Sequence, residues 1–312
     1  MKERLNHLIE SQQFSQEILN ELFQKGDEIR TNPRLYQGYL EGEILASLFY
    51  ESSTRTRLSF DIAMLRLGGR VSATENAREF SSAAKGETLE DTLRVIGGYA
   101  DCIVVRHDEE GALKRAAPLS PVPVINAGDG KGQHPTQALL DLYTIKREFG
   151  RTDDLTIAMV GDLANGRTVR SLCYLLGKFD NGIKLIFVSP EHLKMKDDIK
   201  DYLTKHSIQF SEEEDLNAVL SEADVIYMTR HQRERMSGEE LEKSKKTKGQ
   251  YAINEGNLHL IRKEARIMHP LPKIDEISLP FQVEKDDPRV AYFRQSENGL
   301  WIRMALLCHM LE

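Results

Sequence analysis

The sequence predicts an α/β chain made of two doubly wound parallel-sheet domains with helices on both faces, linked by two helices. Three observations carry this expectation. Short apolar runs of strand length alternate with stretches of helical periodicity, and the alternation restarts after Gly150. The chain has 312 residues, more than one hydrophobic core usually supports. Apolar residues make up 40% and charged residues 29%, an ordinary globular balance with no repeat or low-complexity tract.

Residues 14–29 place Phe14, Ile18, Leu22 and Ile29 at near-helical spacing, which predicts an opening amphipathic helix. Residues 43–50 form a short apolar run suited to a buried parallel strand. A polar turn over 52–57 then leads into a helix over 58–67. Phe60, Met64 and Leu67 share one face of it, and Gly68-Gly69 stops it. Further strands are expected at 102–105, ending on Arg106-His107, and at 122–125, ahead of the turn 126–130. From His134 a helix should run to about 149, with Pro135 in its first turn and Ala138, Leu142, Ile145 and Phe149 on one face. It is the expected connector between domains.

After Gly150 the reading gives strands at 155–160, 183–188 and 225–228, with helices at 167–179 and 199–205. A terminal helix over 298–311 carries Leu300, Met304, Leu307 and Leu311 at helical spacing. The expected division is 1–136 with 290–312 as one domain and 137–289 as the other. Ligands of such sheets bind at the carboxyl ends of strands.

The formal charge of −7 argues against nucleic acid or an anionic membrane as partner, since both need an extended cationic surface. The opening residues lack the apolar stretch of a signal peptide. No apolar run approaches the roughly 20 residues that span a bilayer, so a cytoplasmic protein is expected. Cys102, Cys173 and Cys308 are odd in number, far apart and set in apolar segments, which fits reduced core thiols.

Three segments suggest chemistry. Ser52-Ser-Thr-Arg-Thr-Arg57 gathers hydroxyls, amides and guanidinium groups between a strand and a helix, where an anion is attracted by free N–H groups and the helix dipole. Taken alone it reads equally well as a Ser/Thr-capped helix with surface arginines. His134-Pro-Thr-Gln137 opens a helix, where the dipole disfavours an imidazolium; a neutral His134 could polarise a carbonyl, or simply cap the helix. His269-Pro-Leu-Pro272 constrains the backbone so that its carbonyls could accept from an amide, with Leu271-Pro272 a candidate cis bond, or it is a rigid turn. There is no P-loop, and Gly161-Asp-Leu-Ala-Asn-Gly166 is not a dinucleotide fingerprint, which disfavours ATP, NAD and a dehydrogenase. The histidines lack zinc-site spacing, so no metal is expected.

Taken in order, these segments resemble the aspartate/ornithine carbamoyltransferase family nearly end to end. The resemblance rests on Ser53-Thr-Arg-Thr-Arg57, Lys85-Gly-Glu-Thr88, Arg106-His107, His134-Pro-Thr-Gln-Ala-Leu-Leu-Asp141, Gly161-Asp-Leu163 with Gly166-Arg-Thr-Val169, Met228-Thr-Arg230 and His269-Pro-Leu-Pro272. It implies an enzyme whose first domain binds carbamoyl phosphate and whose second binds an amino acid, with chemistry in the cleft between them. It implies no cofactor and no metal.

By this resemblance Ser53, Thr54, Arg55, Thr56, Ser81, Arg106, His134, Gln137, Pro270 and Leu271 hold carbamoyl phosphate. Lys85, Arg167, Thr168, Arg230, Gln232 and Leu271 hold the amino acid, and Arg55, Thr56, Lys85, Arg106 and His134 act in catalysis. Glu51 and Arg235 match positions that pair with Arg167 on domain closure. The loop 72–85 resembles one that reaches a neighbouring subunit, which implies a homotrimer with shared active sites and leaves room for separate regulatory chains.

Within this resemblance, charge argues for L-aspartate rather than ornithine as second substrate, and the resemblance then implies a place in de novo pyrimidine biosynthesis. A dicarboxylate needs cations at both ends, which Arg167, Arg230 and Lys85 supply, whereas ornithine would need an acidic partner. Ornithine enzymes of the family typically carry His-Cys-Leu-Pro and Ser-Met-Gly, which this chain lacks. A non-catalytic relative of the same fold is disfavoured by the intact Lys85, Arg106, His134 and Arg230. Lys273, Ala84 and Ala164-Asn165 depart from common family patterns; the last pair puts inherited allosteric switching in question.

Overall fold

A strand hidden on both faces must be apolar along its length and take its hydrogen-bond partners from parallel neighbours. The computed structural model describes residues 4–178, 182–232, 238–247 and 249–312, and that rule shapes both its sheets. Two compact units result, Met1–Tyr143 with Glu297–Glu312, and Thr144–Ser296.

In the first unit the order is α1 (Gln16–Thr31), β1 (Ile44–Phe49), α2 (Thr54–Arg66), β2 (Arg70–Glu75), α3 (Ala77–Phe80), α4 (Leu89–Ile96), β3 (Cys102–His107), α5 (Ala112–Ala116), β4 (Val124–Asp129) and α6 (Pro135–Phe149). Ser15 caps α1, its hydroxyl accepting from the Ile18 N–H at 3.2 Å. The sheet is parallel throughout, ordered β2-β1-β3-β4. Beyond β4 the N-terminal segment adds a bridge, Leu8 exchanging backbone hydrogen bonds with Val124 and Asn126. Leu48, Ile103, Val105 and Val124 of the strands meet Leu89 and Leu93 of α4 and Leu113 of α5 in one buried cluster.

The second unit continues with β5 (Thr156–Val160), α7 (Arg167–Leu176), β6 (Lys184–Val188), α8 (Asp197–Lys205), β7 (Gln209–Glu213), α9 (Leu216–Val219), β8 (Val225–Met228), α10 (Gly238–Lys246), β9 (Ile253–Asn254), β10 (Arg266–Met268), β11 (Ile277–Ser278), α11 (Phe281–Asp286) and α12 (Tyr292–Leu311). Its five-stranded sheet is ordered β10-β8-β5-β6-β7, again all parallel, while β9 and β11 pair separately. Both unit boundaries fall inside helices, one in α6 and one in α12.

The predicted doubly wound architecture is present, with instructive differences at the ends of elements. α2 begins at Thr54, four residues before the expected start, so most of the polar run 52–57 is helix rather than turn. The edge strands β2 and β7 are largely exposed and polar, and so gave no apolar run to read. The terminal helix starts at Tyr292, and residues 302–310 are buried on every side rather than along one stripe.

Acidic side chains tie the second unit together. Glu148 accepts from Arg266 Nε and Arg294 Nε, each at 2.7 Å. Burial would raise its pKa, but these two arginines outweigh burial and hold it below the ordinary value. Buried Glu276 is likewise depressed, burial being outweighed by its bond with His269 at 2.8 Å. Asp287 is held down chiefly by the Arg289 side chain. In the first unit buried Asp61 moves the other way, raised by burial, while the depressed Glu28 and Glu90 pair near the surface, where solvent screens them.

A carboxylate depressed in the fold contributes stability that is complete above its unfolded value, 4.5 for glutamate, and is lost as pH falls through the lower folded value. Acid should therefore loosen the second unit first. Hydrogen exchange followed from pH 6 down to pH 3 is expected to show β5 and β6 losing protection before β1 and β3; the reverse order would refute this assignment.

Candidate active site

In a doubly wound sheet a crevice opens where successive connections leave a strand toward opposite sides. In the first sheet that point lies between β1 and β3, because the chain passes from β1 to β2 on one side and resumes at β3 on the other. Phe49 is in register with Arg106, and the Tyr50 N–H donates to the Arg106 carbonyl at 2.9 Å. The loop after β1 and the Arg106 side chain therefore leave the sheet together.

At this edge α2 begins. Ser53 is its N-cap, in an extended conformation, and makes no side-chain capping bond; the first turn contains no acidic residue. Thr54 and Arg55 are exposed, Ser53 is half-buried and Thr56 is buried. The helix thus offers its amide end, hydroxyls and a guanidinium to an anion. Arg106 adds a second guanidinium, fixed by Glu51 at 3.2 Å and by the Ala127 carbonyl of β4 at 3.5 Å.

β4 leads to α6, whose first amides at Gln137 and Ala138 donate to the His134 carbonyl. His134 is buried, with its Nδ1 3.4 Å from the Thr136 hydroxyl. Gln137 is buried too, and its Nε2 donates to Asp141 Oδ1 at 2.8 Å. The segment carrying Ser81 and Lys85 starts at Asn76, whose side chain accepts from the Ser52 hydroxyl at 2.9 Å. Ser81 donates to the Ala77 carbonyl and accepts from the Ala83 N–H, while Lys85 is exposed.

The second sheet repeats the device. Its switch point lies between β5 and β8. Arg167 and Thr168 open α7 after β5, whereas Arg230 and Gln232 follow β8. Arg230 Nη2 donates to Gln232 Oε1 at 3.4 Å. Buried Asp162 joins the two loops, accepting from the Asn165 N–H and the Gln232 N–H, each at 3.0 Å. Gly161 lets them approach: its φ is +113°, and a Cβ there would lie 2.4 Å from the Thr229 carbonyl.

Pro270 and Leu271 follow β10, next to β8 in the sheet. The Leu271-Pro272 bond is cis, as the sequence suggested. His269 holds this turn from beneath: its Nδ1 accepts the Leu271 N–H at 2.7 Å, which leaves the ring proton on Nε2 for Glu276.

The structure thus collects Ser53, Thr54, Arg55, Thr56, Arg106 and Glu51 at one sheet edge, and Arg167, Thr168, Arg230 and Gln232 at the other. Glu51 contacts Arg106 here; Arg235 lies outside the described residues. Sequence reasoning quoted Asp162 and His269 within motifs but gave them no work. Their partners come from other strands or from across a turn, so spacing alone could not reveal them.

Two family descriptions cover nearly the whole chain: the aspartate/ornithine carbamoyltransferase carbamoyl-P binding domain matches residues 6–147, and its Asp/Orn binding domain matches residues 153–310. Aspartate carbamoyltransferase 3, chloroplastic, of Pisum sativum is 55% identical over 98% of this chain and 78% of its own length. The aspartate carbamoyltransferase catalytic subunit of Clostridium novyi is 45% identical, over 98% of this chain and 97% of that protein. Among solved structures, the catalytic subunit of M. jannaschii aspartate transcarbamoylase superposes with TM-score 0.87 at 47% identity, over 98% of each chain. Aspartate transcarbamoylase from Trypanosoma cruzi in complex with N-(phosphonacetyl)-L-aspartic acid superposes with TM-score 0.91 at 37% identity, over 98% of this chain and 96% of that one. Two parallel sheets, a basic switch point in each and a match nearly end to end agree: the chain belongs to the aspartate/ornithine carbamoyltransferase family.

Proposed function

We propose that the protein transfers the carbamoyl group of carbamoyl phosphate to the amino group of L-aspartate, giving N-carbamoyl-L-aspartate and phosphate, a step of de novo pyrimidine synthesis. The observation that carries this reading is the pair of cationic switch points, one opening on a helix N-terminus with hydroxyls for a phosphate, the other set with Arg167 and Arg230 for a dicarboxylate.

Carbamoyl phosphate is assigned to Ser53, Thr54, Arg55, Thr56 and Arg106, with Ser81 completing the phosphate ligands. His134 acts as donor to the carbonyl oxygen. When the Thr136 hydroxyl donates to Nδ1, the ring proton sits on Nε2, the form that can donate there. Gln137 and the backbone at Pro270 and Leu271 take the carbamoyl amide, while Arg167, Thr168, Arg230, Gln232 and Lys85 take aspartate.

The unprotonated amine attacks the carbamoyl carbon, and negative charge gathers on the carbonyl oxygen, where Thr56, Arg106 and His134 oppose it. Phosphate then leaves as the C–O bond breaks, and its oxygens accept the amine proton. Donors already in place stabilise the charge without reorganising, and joint binding removes much of the entropic barrier.

A homotrimer with shared sites is part of the proposal. α2 turns Leu58, Ile62 and Leu65 outward with 43%, 41% and 58% exposure, an apolar stripe that a neighbouring copy would cover. The segment with Ser81 and Lys85 would then serve that copy. The three buried free thiols suit a reducing compartment, and we assign the protein to the cytoplasm.

Purified protein supplied with carbamoyl phosphate should form ureido product with aspartate and not with ornithine; turnover with ornithine alone would overturn the reading. Arg55→Ala and Lys85→Ala should each lower turnover by orders of magnitude with circular dichroism unchanged. Mixing those two variants should restore part of the activity, and verified subunit exchange without recovery would rule out shared sites. His134→Ala should slow the chemical step about 10²-fold to 10³-fold, as for one oxyanion donor. Gly161→Ala should cost about 1–3 kcal/mol in unfolding free energy and raise KM for aspartate more than for carbamoyl phosphate, measured by denaturation and steady-state kinetics.

A further inference from the structure

The buried part of α12 carries one permanent charge. Arg303 is 4% exposed within a run, 302–310, that is buried throughout. Its Nε has no hydrogen-bond partner, and burial pushes its pKa down to about 10 against the opposing pull of Asp141. A guanidinium kept in a core under such conditions needs an explanation beyond packing, since an apolar side chain would fill the space without desolvating a charge.

Its contacts supply one. Arg303 Nη1 donates to the Ser59 hydroxyl at 2.8 Å, and Ser59 donates in turn to the Thr56 carbonyl at 3.0 Å, in the first turn of α2. The guanidinium carbon lies 5.0 Å from the centre of the Phe60 ring. On the other side Arg303 feels the charge of Asp141, whose Oδ1 accepts from Gln137. The cation is thus tied to the start of α2 through Ser59 and lies in the field of the carboxylate that anchors Gln137 in the first turn of α6.

Gly299 is a second, independent observation. It lies in the interior of α12, where glycine is less favourable than alanine. A Cβ there would stand 2.7 Å from Arg303 Nη1. The missing side chain leaves room for the guanidinium.

The chemistry follows from donors and acceptors. A carboxylate only accepts, so Asp141 must receive the NH2 end of the Gln137 amide, and the Gln137 oxygen becomes the end available to a ligand. An oxygen there accepts an N–H from a carbamoyl group and has nothing to accept from a methyl group.

We propose that Asp141 and Arg303 are positioning residues that fix Gln137 with its oxygen toward the substrate amide, so that the site prefers carbamoyl phosphate to an acyl phosphate carrying methyl in place of NH2. This rests on the assignment of carbamoyl phosphate to the first unit. Asp141 holds Gln137 directly, while Arg303 opposes the Asp141 charge without a direct hydrogen bond to it and, through Ser59, is tied to the first turn of α2.

The test compares KM for carbamoyl phosphate with the inhibition constant of acetyl phosphate against it, in the full-length protein. Asp141→Leu and Arg303→Met should reduce the preference for carbamoyl phosphate about 10-fold to 100-fold, the range expected for one buried hydrogen bond, with acetyl phosphate inhibition within about twofold of wild type. Asp141→Asn and Arg303→Lys, which keep an acceptor and a charge respectively, should recover part of it. Gly299→Ala, which displaces the guanidinium without removing it, should lower the preference in the same direction and serves if Arg303→Met fails to fold. Folded variants that weaken both ligands equally, or leave the preference at the wild-type value, overturn the proposal. Wild-type protein without carbamoyl phosphate turnover would overturn the assignment beneath it.

Discussion

Everything at the candidate site depends on the direction of the strands. In a parallel sheet each strand ends at the same edge, and each following helix begins there, so amide-rich helix starts collect along one border. Both sheets of this chain place strand order β2-β1-β3-β4 or β10-β8-β5-β6-β7 around a switch point, and both put arginines at it. A chain with net charge −7 thus carries two local cationic edges. The gathering of arginines at those edges is a property of topology as much as of composition.

Buried acidic groups then set the geometry. Asp162 ties the loop after β5 to the loop after β8, Glu276 holds His269 under the cis-proline turn, and Asp141 orients Gln137. Asp162 and Glu276 each accept from two residues, and Asp141 fixes the buried Gln137 amide. Side chains held this way lose little freedom when a ligand arrives, which is how preorganisation raises both affinity and rate.

The sequence made the central strands legible, because β1, β3, β5, β6 and β8 are short apolar runs bounded by polar turns. It hid β2 and β7, whose exposed positions alternate no apolar face, and it hid β10, only three residues long. The candidate ligands Arg55, Arg106, His134 and Arg230 could be read because each sits in a motif at a strand or helix end. Arg303 could not: among Leu300, Met304 and Leu307 it reads as an incidental polar residue on an apolar helix. The available sign was Gly299 one turn earlier, a residue that an ordinary packed helix has no reason to place there.

The cysteines have a practical consequence. Cys102 and Cys308 are buried in the first unit with thiols pushed up to about 12, and Cys173 is buried in the second with its thiol also raised by burial. Alkylation requires a reachable thiolate, which none of them presents in the closed fold. A maleimide or iodoacetamide pulse, read peptide by peptide, would therefore time the breathing of each lobe separately, with the chain's own sulfur atoms as the built-in stopwatch.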